Sequence, residues 1–354
     1  MRSVRLLIVS LLVAGGLAAC HRGQEEGRRE PRGNRPPRIG FSMDSLQLER
    51  WRHDRDEFIA RARQLRAEVF VQSANGVDAV QVRQCENLLT QGVDVLVIVP
   101  HNGEVMAGVV NSAKAQGVPV VSYDRLIRDS DVDLYVSFDN RRIGELQAKY
   151  LYERAPAGNY ILLGGAPTDN NARLIREGQL AVLKPGIDRG AIRVVADPWV
   201  RDWLASEALR HTENALTRAG NNVAAVVASN DSTAGGAVQA LEEQKLAGKV
   251  LVSGQDADLA AAQRVAEGKQ AMTIYKPIKP LAAKAAEAAV ALAAGKPVET
   301  DGTVNNGKRD VPAILLQPIV IDRSNLDSTV IQDGYLKRED VYRNLPREQW
   351  PAER

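Results

Sequence analysis

From Arg38 onward, short apolar runs alternate with longer amphipathic stretches. Arg38–Met43, Glu68–Ala74, Val93–Pro100, Val118–Tyr123 and Leu134–Phe138 read as strands. The run 93–100 is apolar almost throughout, the pattern of a strand buried on both faces. Between these runs, 50–65, 78–91 and 104–116 carry helical spacing, and in the first of them Trp51, Phe58, Ile59, Ala62 and Leu65 share one face. Gly92 and Gly117 stand where a helix gives way to a strand. The second half repeats the theme, with strands at 160–164, 192–196, 224–229, 250–254 and 271–275. Helices are expected over 170–183, 204–218, 232–243, 259–267 and 278–294. Such alternation predicts βαβ units with right-handed crossovers, and therefore an α/β protein of two doubly wound parallel-sheet lobes. The stretch from Asn325 is polar and irregular, and it is expected to pack across the lobes.

The first residues follow another pattern. Arg2 and Arg5 precede an apolar stretch from Leu6 to Leu17, which ends in Leu17-Ala18-Ala19-Cys20. This is the form of a secretory leader. Its ending resembles a bacterial lipobox, which would make Cys20 the lipidated first residue of the exported chain. The other reading is a plain signal peptide with an incidental cysteine. Residues 21–37 are rich in Arg, Glu, Gly and Pro and carry almost nothing apolar, so they read as a disordered tether. Extended, the seventeen residues would reach roughly 50 Å. The remaining cysteine, Cys85, lies in a helical pattern and reads as a small buried hydrophobe.

Composition narrows the functional classes. The 354 residues allow two sizeable cores, and 44% apolar with 25% charged residues is ordinary for a globular protein. A net charge of +2 gives no argument for a nucleic-acid partner. No dinucleotide fingerprint, phosphate-binding loop or nucleophile elbow is present, and the four histidines lack metal-ligand spacing. No cofactor and no metal are therefore expected. Aldose isomerase or dehydrogenase chemistry is weighed and set aside for the same reason.

What remains is a set of polar and aromatic residues at or beyond strand ends, where ligands bind in open α/β sheets. They include Arg50, Trp51, Asp124, Arg125, Asn171, Trp203, Asn230, Asp256 and Lys276. Flat rings together with carboxylate, guanidinium, ammonium and amide groups suit a small polyhydroxylated molecule. Each residue also has a plainer reading. Trp51 fits the core of the first helix, Asp124-Arg125 fits a surface ion pair, and Asn230 fits a helix cap. Asp231 or Ser229 is the expected cap there, with Asn230 facing the ligand, and Asn170 is the expected cap of the helix at 170. Gln255 and Asp258 are placed behind the site, and Trp199 is expected to be structural or exposed.

Several stretches resemble periplasmic sugar-binding proteins of the ribose and xylose type, and among these the D-xylose-binding components of ABC transporters. They are Glu49-Arg50-Trp51, 69–76, 137–140, Asp169–Ala172, Ala228–Asp231, Ser253–Asp258 and Tyr275-Lys276-Pro277. The resemblance runs from about 38 to about 334. It implies a three-crossing hinge near 138–140, Lys276 and 311–318. The first lobe would comprise 38–138 with about 277–312, and the second 139–276 with about 313–335, leaving 336–354 as a polar tail. It further implies a monosaccharide ligand, D-xylose first and another aldose as the alternative. Trp51 and Trp203 would stack on the sugar, with the other seven residues hydrogen-bonding to it. The implied partners are an inner-membrane ABC permease and, through Cys20, the membrane itself. The protein would be an exported, lipid-anchored monomer in the periplasm or at the cell surface. A sugar sensor for chemotaxis or signalling remains a second reading.

Overall fold

The computed structural model describes residues 35–352, so the leader, Cys20 and most of the expected tether lie outside the described residues. The elements run β1 (Arg38–Met43), α1 (Glu49–Gln64), β2 (Glu68–Ser73), α2 (Asp78–Thr90), β3 (Val95–Ile98), α3 (Ala107–Ala115), β4 (Val120–Tyr123) and β5 (Leu134–Phe138). They continue with α4 (Asn140–Arg154), β6 (Gly158–Leu163), α5 (Asn170–Asp188), β7 (Ile192–Ala196), α6 (Ala205–Ala219), β8 (Ala225–Ala228), α7 (Asp231–Glu243), β9 (Leu251–Val252), α8 (Leu259–Ala266), β10 (Thr273–Tyr275) and α9 (Ile278–Ala293). Then come β11 (Gly302–Asn305), β12 (Asp310–Leu316), β13 (Ile319–Ile321) and a short α10 (Arg338–Val341).

One sheet has the order β11-β12-β5-β4-β3-β1-β2, parallel except for the β11–β12 hairpin. A second parallel sheet has the order β7-β6-β8-β9, and β10 pairs with β13 beside it. The strands are apolar because helices cover both faces: β3, β4 and β5 are buried at every position. The order reverses at β1/β3 in the first sheet and at β6/β8 in the second, so each sheet opens a crevice at the carboxyl ends of its strands.

The chain passes between the sheets three times, after β5, after β10 and between β12 and β13. The last passage lies farther along than the expected boundary at about 312. Residues 313–316 pair with β5 in register Ala313–Tyr135 to Leu316–Phe138, so they belong to the first sheet. Two expectations about the ends are also corrected. Arg35 is not tether, because its guanidinium makes two 2.8 Å bonds to Asp94 and the neighbouring Pro37 carbonyl accepts from Glu68 N at 2.8 Å. Nor is the C-terminal stretch only polar. Leu326, Val330, Leu336, Val341 and Tyr342 pack with Ala262, Val265 and Tyr275 in a core beside α8.

Helix α4 has no counterpart among the sequence expectations. Its buried face includes Gly144 and Gln147 rather than a full apolar stripe. It packs on α5 through glycines: a Cβ on Gly144 would fall 1.9 Å from the Ile175 carbonyl oxygen, and one on Gly178 would fall 2.0 Å from the Arg141 carbonyl oxygen. Backbone-to-backbone packing leaves little hydrophobic periodicity to read.

Candidate functional site

Both crevices face one another across a buried cavity lined by Leu48, Arg50, Trp51, Asp124, Arg125, Asp169, Asn171, Trp203, Asn230, Gln255, Asp256 and Lys276. All nine residues singled out from the sequence are among them. The space is about 270 Å³.

Each lining residue follows the end of a strand. Arg50 and Trp51 stand in the first turn of α1 after β1, and Asp124-Arg125 follow β4 directly. Asn171 opens α5 after β6, and Trp203 closes a single 3-10 turn after β7. Asn230 caps α7 after β8, Asp256 follows β9 and Lys276 follows β10. Among the described residues, five of the ten non-glycine residues with positive φ lie here: Asp124, Asp202, Trp203, Asp256 and Ala257. Aspartate tolerates this region through local hydrogen bonding, but an indole does not, so the turn at Trp203 holds the ring at a conformational cost.

The charges form an alternating network. Arg50 Nη2 lies 2.8 Å from Asp124 Oδ2, its Nη1 3.3 Å from Asp256 Oδ1, and its Nε 3.1 Å from Asp54 Oδ2. Lys276 Nζ approaches Asp256 Oδ1 at 3.1 Å and Asp124 Oδ2 at 3.5 Å. Arg125 reaches Asp44 Oδ2 at 2.9 Å and Asp169 Oδ2 at 2.8 Å. Burial alone would pull Arg50 down, but Asp124, Asp54 and Asp256 outweigh it and hold its pKa well above the ordinary value. Burial would likewise push Asp124 up, but Arg50, Lys276 and Arg125 lower it on balance. Asp54 and Asp169 are raised instead, because burial outweighs their single guanidinium partners.

Neutral groups complete the frame. Asn171 Nδ2 donates to the Asp124 carbonyl at 2.9 Å, and its Oδ1 accepts from Tyr135 OH at 3.1 Å. Trp51 is core and cavity wall at once. It is 2% exposed, and the Arg50 and Arg125 guanidinium carbons stand 4.4 and 5.3 Å from its ring centroid. The indole N–H groups of Trp51 and Trp203 are buried without a hydrogen-bond partner. Trp199, by contrast, is exposed.

Three capping expectations change. Asn230 is itself the cap of α7: its Oδ1 accepts from Thr233 N at 2.9 Å and Thr233 Oγ1 accepts from Asn230 N at 3.2 Å. The spacing Asn-x-x-Thr is a capping-box signal the sequence already carried. Asp231 instead turns inward to accept from Thr273 and Gln270. At α5 the cap is Asp169 rather than Asn170, through a 2.9 Å bond from Asn171 N. Sequence reasoning missed Asp44 and Tyr135, whose partners lie on other elements and leave no local pattern, and Asp54, although its i,i+4 spacing from Arg50 within α1 was a local signal. Among the described residues no group of three or more His, Cys, Asp or Glu side chains could hold a metal ion.

Residues 39–297 match the periplasmic binding protein domain. The chain belongs to the periplasmic binding protein family. A D-xylose-binding periplasmic protein of Haemophilus influenzae is 56% identical over 305 residues, covering 86% of this chain and 92% of the relative. Its counterpart in Escherichia coli is 55% identical over 304 residues, with the same coverage of each chain. Among solved structures, a carbohydrate transporter solute-binding protein of Chloroflexus aurantiacus in complex with D-glucose superposes with a TM-score of 0.81. It is 33% identical and covers 85% of this chain and 97% of its own. As a member of this family the chain is an exported binding protein rather than an enzyme, and its architecture is that of the type I solute-binding proteins.

Proposed function

We propose that this protein is the high-affinity D-xylose receptor of an ABC importer, which closes its lobes on the sugar and delivers it to the membrane permease. The observation that carries the reading is the cavity itself: two indoles and an alternating set of carboxylates and cations, contributed by both lobes and withdrawn from water. Relatives at 55–56% identity named for D-xylose support the choice of sugar. Trp51 and Trp203 would pack on the C–H faces of the ring. Arg50, Arg125 and Lys276 would donate to hydroxyl or ring oxygens, Asp124 and Asp256 would accept, and Asn171 and Asn230 would do either.

Hydrogen bonds to charged groups contribute about 1.5–3 kcal/mol each. Five or six of them exceed the roughly 8 kcal/mol of a micromolar complex. Lobe closure, sugar desolvation and lost freedom consume the difference. Calorimetric titration of the exported chain with D-xylose, D-ribose, L-arabinose, D-glucose and D-galactose tests the reading. Tight binding of D-xylose above the others is expected. Preference for D-glucose, the sugar held by the Chloroflexus aurantiacus structure, would move the substrate, and absence of heat with all five would refute the receptor.

We place the protein on the membrane as a monomer, anchored by lipid on Cys20. The Leu-Ala-Ala-Cys ending of the leader and the composition of the segment that follows it support this. Cys20→Ser should move the protein from the membrane to the soluble fraction, and unchanged fractionation would refute the anchor.

A further inference from the structure

Like the two cavity indoles, Gln255 carries a buried polar atom without a partner, but where the indoles offer donors it offers a neutral acceptor. It lines the space, it is 4% exposed, and its carbamoyl oxygen is buried without a hydrogen-bond partner. The carboxylates around it are held by cations of the fold, so their orientation has a cause in the protein itself. Gln255 Oε1 has none. A buried acceptor left unpaired costs on the order of a tenfold to hundredfold factor in an equilibrium, and native folds rarely carry one without reason.

Slack in the segment does not explain it. The Gln255 carbonyl accepts from Asp231 N at 2.9 Å, Asp256 N donates to the Ile274 carbonyl at 2.7 Å, and Ala257 N donates to Thr273 Oγ1 at 3.3 Å. The preceding Gly254 admits no side chain, because a Cβ there would fall 2.0 Å from Asp231 Oδ1. Asp256 and Ala257 then turn the chain with φ of 100° and 55°. The backbone is fixed on both sides, so the side chain is held at the cavity wall by a rigid frame.

We propose that Gln255 is a further specificity-determining residue, whose carbamoyl oxygen accepts a hydrogen bond from one hydroxyl of the bound sugar. The inference rests on the sugar-receptor reading. A neutral acceptor at this place adds a demand that ionic groups do not make: the sugar must present a hydroxyl proton there, because no cation of the protein occupies the lone pairs. A sugar lacking that hydroxyl, or carrying it on the other face of the ring, leaves Oε1 unpaired and is rejected.

The test compares the wild-type chain with Gln255→Met, which keeps the length of the side chain and removes the acceptor. Both are titrated with D-xylose and with its 2-, 3- and 4-deoxy analogues. Gln255→Met should bind D-xylose roughly tenfold to a hundredfold more weakly. For one deoxy sugar the two proteins should bind alike, because the hydroxyl that Gln255 reads is already missing. Equal loss across all four sugars, or no loss on D-xylose, would overturn the inference. If Gln255→Met does not fold, the crystal structure of the wild type with D-xylose decides. Oε1 within about 3.2 Å of a sugar hydroxyl sustains the inference, and Oε1 bonded to a protein group or to none overturns it. Absence of heat between the wild type and D-xylose would strike the receptor reading instead, so the two failures are distinct.

Discussion

Gly165→Ala is expected to weaken sugar binding through Trp203 alone. Gly165 follows β6 and accepts from Val200 N at 3.2 Å, at the base of the turn that carries the indole. Its backbone lies outside the left-handed region, so alanine is conformationally allowed. The obstacle is the ring: an added Cβ would fall 2.0 Å from Cη2 and 2.3 Å from Cζ2 and Cζ3 of Trp203. Carbon atoms settle at about 3.5–4.0 Å, so the indole must retreat by about 1.5 Å or more. Overpacking of this kind costs the fold about 1–3 kcal/mol. A stacking platform moved by that distance loses most of its contact with a ring held by hydrogen bonds elsewhere. The expected loss is about 1–3 kcal/mol of binding, roughly tenfold to a hundredfold. Calorimetry with D-xylose measures it, and thermal unfolding without sugar reports the separate cost to the fold. In the Trp203→Ala background, Gly165→Ala should add nothing. Wild-type affinity in the single variant, or full additivity in the double, would refute the reasoning.

Asp54→Asn should lower D-xylose affinity although Asp54 does not line the cavity, because the carboxylate is buried behind Arg50 and also accepts from Tyr123 OH. A stability loss of about 1–3 kcal/mol in urea should accompany it, and unchanged affinity would remove Asp54 from the positioning of Arg50. Burial pushes the Cys85 thiol up to about 11, so in the Cys20→Ser chain iodoacetamide at about pH 8 should label native protein negligibly and denatured protein fully. Rapid native labelling would contradict its burial. Burial likewise raises Asp231 to about 7, against the pull of Arg264 and its hydrogen bonds from Gln270 and Thr273. A carboxyl raised on folding contributes stability that is present below its unfolded pKa and lost as pH rises through the folded one. The thermal midpoint should therefore fall between about pH 4 and about pH 7, and Asp231→Asn should flatten that fall; an unaltered profile would refute the assignment.

Strands and most helices were legible because burial on both sheet faces writes itself as continuous apolar runs, as in β3. The crevice residues were legible because each follows such a run. What the sequence hid depends on atoms far apart along the chain. Helix α4 packs by backbone contact at Gly144 and Gly178, so its apolar stripe is thin. Asp44 matters because it meets Arg125, from a segment 81 residues away in sequence. The caps were legible and misassigned: Asn230-x-x-Thr233 announced a capping box, but the position facing the cavity and the position capping the helix are one residue. Its Oδ1 serves the helix, while the residue also lines the cavity.

The arrangement of charge explains how a neutral sugar can operate two lobes. Every cation at the cavity holds at least one carboxylate from each lobe. Arg50 joins Asp124 to Asp256, Arg125 joins Asp44 to Asp169, and Lys276, at a crossing, touches both Asp124 and Asp256. Opening would return Asp169 and Asp256 to water, and closing would exchange hydration for ion pairs. Those two terms nearly cancel for buried pairs, since desolvation offsets most of the Coulomb gain. The ion pairs by themselves therefore contribute little net drive to closure. Shifting a two-state equilibrium from 1:99 to 99:1 requires about 5.5 kcal/mol of differential binding. On the sugar-receptor reading that cost is drawn from the gross energy of the sugar's hydrogen bonds and stacking, and the roughly 8 kcal/mol of a micromolar complex is what remains after closure. On that reading the drive for closure comes from the hydroxyls and C–H faces of the ligand rather than from the ion pairs.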